Sequence, residues 1–241
     1  MLKLFALVLT SAVLVVGAAT GSAANASRRL VGSVGCVRKP DHARVVRFRT
    51  ADGIRLRGVQ MGRGRKGLVL SHEYRGTFCN WIPFARDAVR RGYRVLAYNS
   101  RGPAAPANQD LDVAAATSTL RRAGASEIAL LGASAGATSS LVAAADITPK
   151  VDAVVSLSAA QSVDRLDAKA AVAKLDVPVL FMAAQHDDLY AAAAKTLYED
   201  AAAPEKDLRI LSGDAHGTQM LRLPYGRNAR NLVFAFLGAH T

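Results

Sequence analysis

The sequence predicts an α/β protein, a mostly parallel sheet covered by helices on both faces, and three observations carry that prediction. Short unbroken apolar runs alternate with stretches of helical spacing, the pattern of strands buried on both sides and joined by helical crossovers. Two early segments alternate apolar and polar residues around a turn signal, which reads as an antiparallel hairpin. The chain has 241 residues and is 51% hydrophobic but only 6% aromatic, an Ala-, Val- and Leu-rich composition suited to helices packed closely on a sheet.

Each element follows from its local pattern. Residues 44–49 (RVVRFR) and 54–60 (IRLRGVQ) flank Ala51-Asp52-Gly53 and form the hairpin, placed at a sheet edge. Residues 67–71 (GLVLS) make a short buried strand. The stretch 81–91 carries Trp81, Ile82, Ala85, Ala88 and Val89 along one helical face and is stopped by Gly92. A second buried strand spans 94–98, a Pro-rich loop 102–107, and a helix 110–122, ended by Gly124. Further strands are expected at 127–131, 151–157, 179–183 and 208–211, with helices at 134–145, 191–203 and 228–237. In such a sheet, active residues are expected at the carboxyl ends of the strands.

The N-terminus reads differently. Lys3, the apolar run 4–16 and small residues ending in Ala24-Asn25-Ala26 have the layout of a secretory signal peptide covering residues 1–26, which leaves a single domain over 27–241. The alternative is an uncleaved tether to the membrane. The net charge is +12, and +11 without Lys3, so anionic cell-envelope surfaces are the expected attraction. Nucleic acid is not expected, because the basic residues are scattered and no aromatics interleave them. In an exported chain the two cysteines, Cys36 and Cys79, predict one disulfide, worth roughly 4 kcal/mol on the chain-entropy model. With no CxxC and no His pair at helical spacing, no metal site is expected. No nicotinamide, flavin or phosphate motif appears, so no cofactor is implied.

The chemistry centres on Gly132-Ala133-Ser134-Ala135-Gly136, a G-x-S-x-G directly between a strand and a helix. A nucleophile there occupies a tight turn, so its neighbours must be small, and Gly132 and Gly136 supply that. The turn also sets the hydroxyl at a helix N-terminus, where a developing anion is favoured. A serine needs a base. Of five histidines, His216 lies in the small-residue loop 212–217 after the last strand, overhanging the sheet near Ser134, whereas His42, His186 and His240 lack that placement and His72 suits a structural role in its loop. The base needs an orienting acid. Asp187, just past strand 179–183, is preferred, with Asp188 as its rival or as the cap of the following helix, and Asp214 too near His216 in sequence. The oxyanion donors are expected to be the backbone N–H groups of Ala135 and Tyr74.

These residues, with Leu70-Ser71-His72, Gly92-Tyr93-Arg94-Val95, Ser100-Arg101-Gly102 and His216-Gly217, resemble the α/β-hydrolase superfamily, and more narrowly small secreted hydrolases similar to dienelactone hydrolases and serine esterases, over residues 45–241. The resemblance implies carboxylic ester hydrolysis through an acyl-enzyme, with serine peptidase or amidase activity, or a non-catalytic binding protein, as alternatives. Two departures stand out: His72-Glu73 replaces the common His-Gly, placing a carboxylate where it can crowd the mouth, and Asn99 replaces a common Asp. Only about twenty residues separate strands 151–157 and 179–183, where a lid domain would insert, so an open site is expected, taking a small ester or an exposed polymer end.

Overall fold

A computed structural model describes residues 35–102, 106–224 and 226–241. The expected signal peptide lies outside the described residues. β1 (Arg44–Arg49) and β2 (Arg55–Met61) form the antiparallel hairpin at one edge of an eight-stranded sheet, with Phe48 opposite Leu56. β3 (Lys66–Ser71) and β4 (Arg94–Asn99) follow, and β4 pairs antiparallel with β2. β5 (Glu127–Ala133), β6 (Ala153–Leu157), β9 (Val179–Ala184) and β10 (Lys206–Leu211) continue the sheet beyond β3, all parallel with it and with β4. The spatial order is β1-β2-β4-β3-β5-β6-β9-β10.

The two-residue period of the strands divides the core in two. On one face Ala129, Leu131 and Ala133 of β5 meet α1 (Ile82–Arg90) and α6 (Arg227–His240) through Trp81, Phe84, Val233 and Leu237. Phe84 and Phe234 stack there with ring centroids 4.7 Å apart. On the other face Ile128 and Leu130 meet α2 (Gln109–Arg122), α3 (Ala135–Asp146), α4 (Ala168–Val172) and α5 (Asp188–Asp200). The small alanines of α3, buried along nearly its whole length, let it lie close against the central strands. The span between β6 and β9 holds only a hairpin, β7 (Ser162–Val163) and β8 (Leu166–Asp167), and the five-residue α4, so no lid domain is inserted there. Cys36 and Cys79 form the expected disulfide, tying the segment ahead of β1 to the turn ahead of α1. Among the described residues no helix is long and apolar enough to cross a membrane.

Of the boundaries that depart from expectation, one bears on the site. α5 begins at Asp188, three residues before residue 191, so Asp188 is the first helical residue and not its cap. The cap position falls to Asp187, whose side chain makes no capping bond because it is committed elsewhere.

Candidate active site

After β3 the chain crosses to β4 on one side and later returns to β5 on the other. The loops leaving β3 and β5 therefore flank the crevice where an open α/β sheet binds ligands. The loop leaving β5 is a one-residue bend at Ser134, with φ 51° and ψ −119°. Such a backbone costs on the order of 1–3 kcal/mol for a non-glycine residue and persists only when its surroundings fix it. Here Ser134 N–H donates to Leu157 C=O at 2.8 Å, and Ser134 C=O accepts from Ala137 and Thr138 N–H at 2.9 and 3.0 Å. The flanking glycines are required sterically. A Cβ on Gly132 would stand 2.3 Å from Gly136 O, and one on Gly136 would stand 2.3 Å from Ser71 O. The second contact seats the elbow directly against the end of β3.

His216 comes from the loop after β10 and is half-buried. Its Nδ1–H donates to Asp187, 2.9 Å from Oδ2 and 3.1 Å from Oδ1, and the Asp187 side chain is only 10% exposed. That bond leaves Nε2 as the acceptor. Asp188 and Asp214 are exposed and make no hydrogen bond or ion pair with His216 among the described residues. The next residue, Gly217, packs on the elbow: its N–H donates to Ser158 Oγ at 3.1 Å, and a Cβ there would stand 3.3 Å from Ala133 Cβ. The loops carrying Ser134 and His216 are thus in contact. Neither the Ser134 hydroxyl nor His216 Nε2 has a hydrogen-bond partner among the described residues, so both remain unspent. A base and nucleophile in a ligand-free site commonly close their bond only when substrate is bound.

Ala135 opens α3, and Tyr74 lies in the turn after β3. Neither backbone N–H donates to any described group. The loop carrying Tyr74 is held at several points. His72 Nδ1–H donates to Glu73 C=O at 2.7 Å, His72 Nε2 accepts from Ser100 N–H at 3.1 Å, and Gly76 N–H donates to Glu73 C=O at 2.8 Å. Burial holds His72 below the usual histidine range, consistent with this neutral tautomer and a structural role. Asn99 is structural too, its Oδ1 accepting from Phe78 N–H at 2.9 Å. His42 and His186 are exposed, and His240 sits near Glu205 at the far end of α6.

Glu73 does not crowd the mouth. Its Oε1 turns into the protein, accepting from Thr218 Oγ1 at 2.6 Å and Asn80 Nδ2 at 2.8 Å, and so ties the loop of Tyr74 to that of His216. Thr218 and Ser158 were not legible as site residues, and neither was Tyr190, whose ring packs 4.3 Å from the His216 imidazole. The only hint in the sequence was their position just beyond β6, β9 or β10. Among the described residues no cluster of His, Cys, Asp and Glu suits a metal ion.

No family model matches the sequence, and no curated protein matches it either. Solved structures do match. An esterase of Pyrococcus furiosus aligns with TM-score 0.70 at 16% identity, over 82% of this chain and 91% of that one. A dienelactone hydrolase from Anabaena variabilis aligns with TM-score 0.67 at 16% identity, over 81% and 96%. An esterase from a Rhodococcus species aligns with TM-score 0.66 at 17% identity, over 82% and 99%. At such identities the likeness is one of architecture, and together with the sheet order and the bend at Ser134 it identifies this chain as an α/β-hydrolase fold.

Proposed function

We propose that this protein is a serine hydrolase that cleaves carboxylic esters through an acyl-enzyme, with Ser134 as nucleophile, His216 as general base and acid, Asp187 as its orienting acid, and the N–H groups of Tyr74 and Ala135 as the oxyanion hole. One observation carries the reading: at the carboxyl end of one sheet stand a strained serine with an unspent hydroxyl, an imidazole fixed by a carboxylate 2.9 Å away, and two backbone donors with nothing to donate to. Each lacks the partner that an ester in transit would supply. His216 Nε2 takes the Ser134 proton as Oγ attacks the acyl carbon. The two amides stabilise the oxyanion, and a protonated Nε2 then delivers its proton to the departing alkoxide. Water repeats the sequence to release the acid and restore Ser134. The similar esterases favour an ester over an amide as substrate, and a site with no lid inserted between β6 and β9 suits a small ester or the exposed end of a polymer. Residues 1–26 are proposed as an export leader, in keeping with a disulfide that persists in oxidising compartments.

Rapid mixing with p-nitrophenyl acetate tests the reading. A burst of nitrophenol approaching one equivalent, followed by slower turnover, is expected for an acyl-enzyme. Turnover of aminoacyl anilides in preference to esters would move the assignment to a peptidase, and no turnover of either would move it to a binding protein.

A further inference from the structure

The apolar side chains left uncovered share one end of the molecule. Among the described residues the exposed large hydrophobics are Ile54, Tyr74, Leu189 and Leu223, at 40, 52, 82 and 54% exposure. Tyr74 follows β3, and Leu189 follows Asp187 beyond β9, so both rim the candidate site. Ile54 precedes β2, which runs antiparallel to β4 and pairs Arg57 with Asn99. Its turn therefore stands at the carboxyl end of β4, where Asp52 meets Arg101. Leu223 precedes α6, whose far end meets the start of β3 through Lys66 Nζ and Thr241 O, so Leu223 also stands at the carboxyl end. Single exposed hydrophobics are ordinary on a soluble surface, but all four of these, spread from the turn before β2 to the start of α5, stand on the one end that holds the site.

The charges at this face are paired with the apolar groups in a particular way. Ile54, Tyr74 and Leu223 each adjoin an exposed arginine, Arg55, Arg75 and Arg222. Among the described residues these three guanidiniums make no hydrogen bond or ion pair to a protein group, apart from the stacking of Arg75 over the Tyr74 ring at 5.7 Å. Elsewhere at this end Arg101 is fully committed to Asp52 and Asp112. Two of the four adjoin a carboxylate: Asp188 beside Leu189 is exposed, whereas Glu73 beside Tyr74 turns into the protein toward Asn80 and Thr218.

We propose that this face docks on an anionic lipid bilayer, the apolar side chains entering the acyl boundary while Arg55, Arg75 and Arg222 meet the head groups, so that the site at its centre works on esters held in that surface. The proposal rests on the hydrolase reading for its substrate, but not for its binding. Apolar tips beside free arginines are what an anionic interface recognises, and the net charge of +12 brings the molecule toward it. A soluble polyanion would use the arginines and leave the apolar groups without a role.

The test is the full chain carrying Leu189→Trp, since native Trp81 is fully buried and serves as a constant background. With vesicles containing phosphatidylglycerol, the fluorescence of the introduced indole should shift to the blue and be quenched by brominated acyl chains. Salt at 0.5 M should reverse both, the range in which surface charges are screened at about 4 Å. Arg55→Gln/Arg222→Gln in that background should weaken the partition about 25-fold, two charges at roughly fivefold each. An indole signal that stays unchanged on these vesicles overturns the proposal, even if the protein is held there by its N-terminal segment. An equal response to pure phosphatidylcholine, or to soluble polyphosphate, overturns the anionic-bilayer assignment. Hydrolysis of soluble p-nitrophenyl acetate, measured on the same samples, reports separately on the hydrolase reading: turnover without a lipid response removes only the docking face, and a lipid response without turnover removes only the catalysis.

Discussion

Two carboxylate clusters stand at the carboxyl end of the same sheet, and their difference separates structure from chemistry. At one flank Arg101, with a side chain only 4% exposed, donates to Asp112, which is fully buried, and to Asp52 in the hairpin turn. Asp112 also accepts from Arg101 N–H at 2.8 Å. Burial raises the Asp112 carboxyl while the guanidinium opposes that shift, and at Asp52 the hydrogen bonds from Arg101 hold the carboxyl well below the usual range. The cluster is closed: the oxygens and N–H groups of its members answer one another, and its effect is to fix the hairpin to α2. At the other site Asp187 answers His216 alone, and beyond it an imidazole nitrogen, a hydroxyl and two amides are left unmatched. A closed network holds a fold together, whereas an open one keeps the free groups that the proposed chemistry needs.

This division can be broken from either side. The largest effect is expected at the open cluster, where Ser134→Ala should lower kcat about a million-fold, read with a p-nitrophenyl ester, and leave the urea midpoint nearly unchanged. Asp187→Asn should follow, with a loss of about 10⁴-fold in kcat as the imidazole loses the tautomer that leaves Nε2 free, again in a folded protein. Asp112→Ala should do the reverse. It leaves the buried Arg101 guanidinium with Asp52 alone, costing up to about 3–5 kcal/mol in urea unfolding, while the folded fraction keeps its kcat. If Asp112→Ala removed activity without lowering stability, the division between the two clusters would fail.

The smallest effect concerns His72, a closed group inside the open site. Burial keeps its folded value below the ordinary one near 6.5, so the unfolded chain binds more protons as pH falls. Its contribution to stability is therefore complete above pH 6.5 and lost as pH drops through the interval below. Comparing urea unfolding at pH 7.5 and 5.5, His72→Gln should remove up to about 1.4 kcal/mol of the pH dependence. An unchanged dependence would mean that His72 does not need to be neutral.

Much of the fold was legible because buried parallel strands and their helices differ in period, and short apolar runs such as 127–131 admit few other readings. The bend at Ser134 was legible for a steric reason: only glycines fit at 132 and 136, where a Cβ would stand 2.3 Å from a backbone oxygen. The pairing of Asp187 with His216 followed from where their strands end. Contacts made across the fold were not legible. Nothing in the sequence placed Thr218 Oγ1 on Glu73 or Ser158 Oγ on Gly217 N–H, since each joins residues far apart in the chain through a side chain with many local alternatives. The start of α5 was misread for a related reason, because Asp187 gives to His216 the side chain a capping residue would use.

The proposed catalysis depends on the nucleophilicity of a single hydroxyl, and labelling measures it most directly. Incubating the folded full-length chain with a fluorophosphonate and weighing the intact protein should give one adduct, absent from Ser134→Ala. A folded wild-type chain that acquires no adduct, or one that is still labelled after Ser134→Ala, would contradict it.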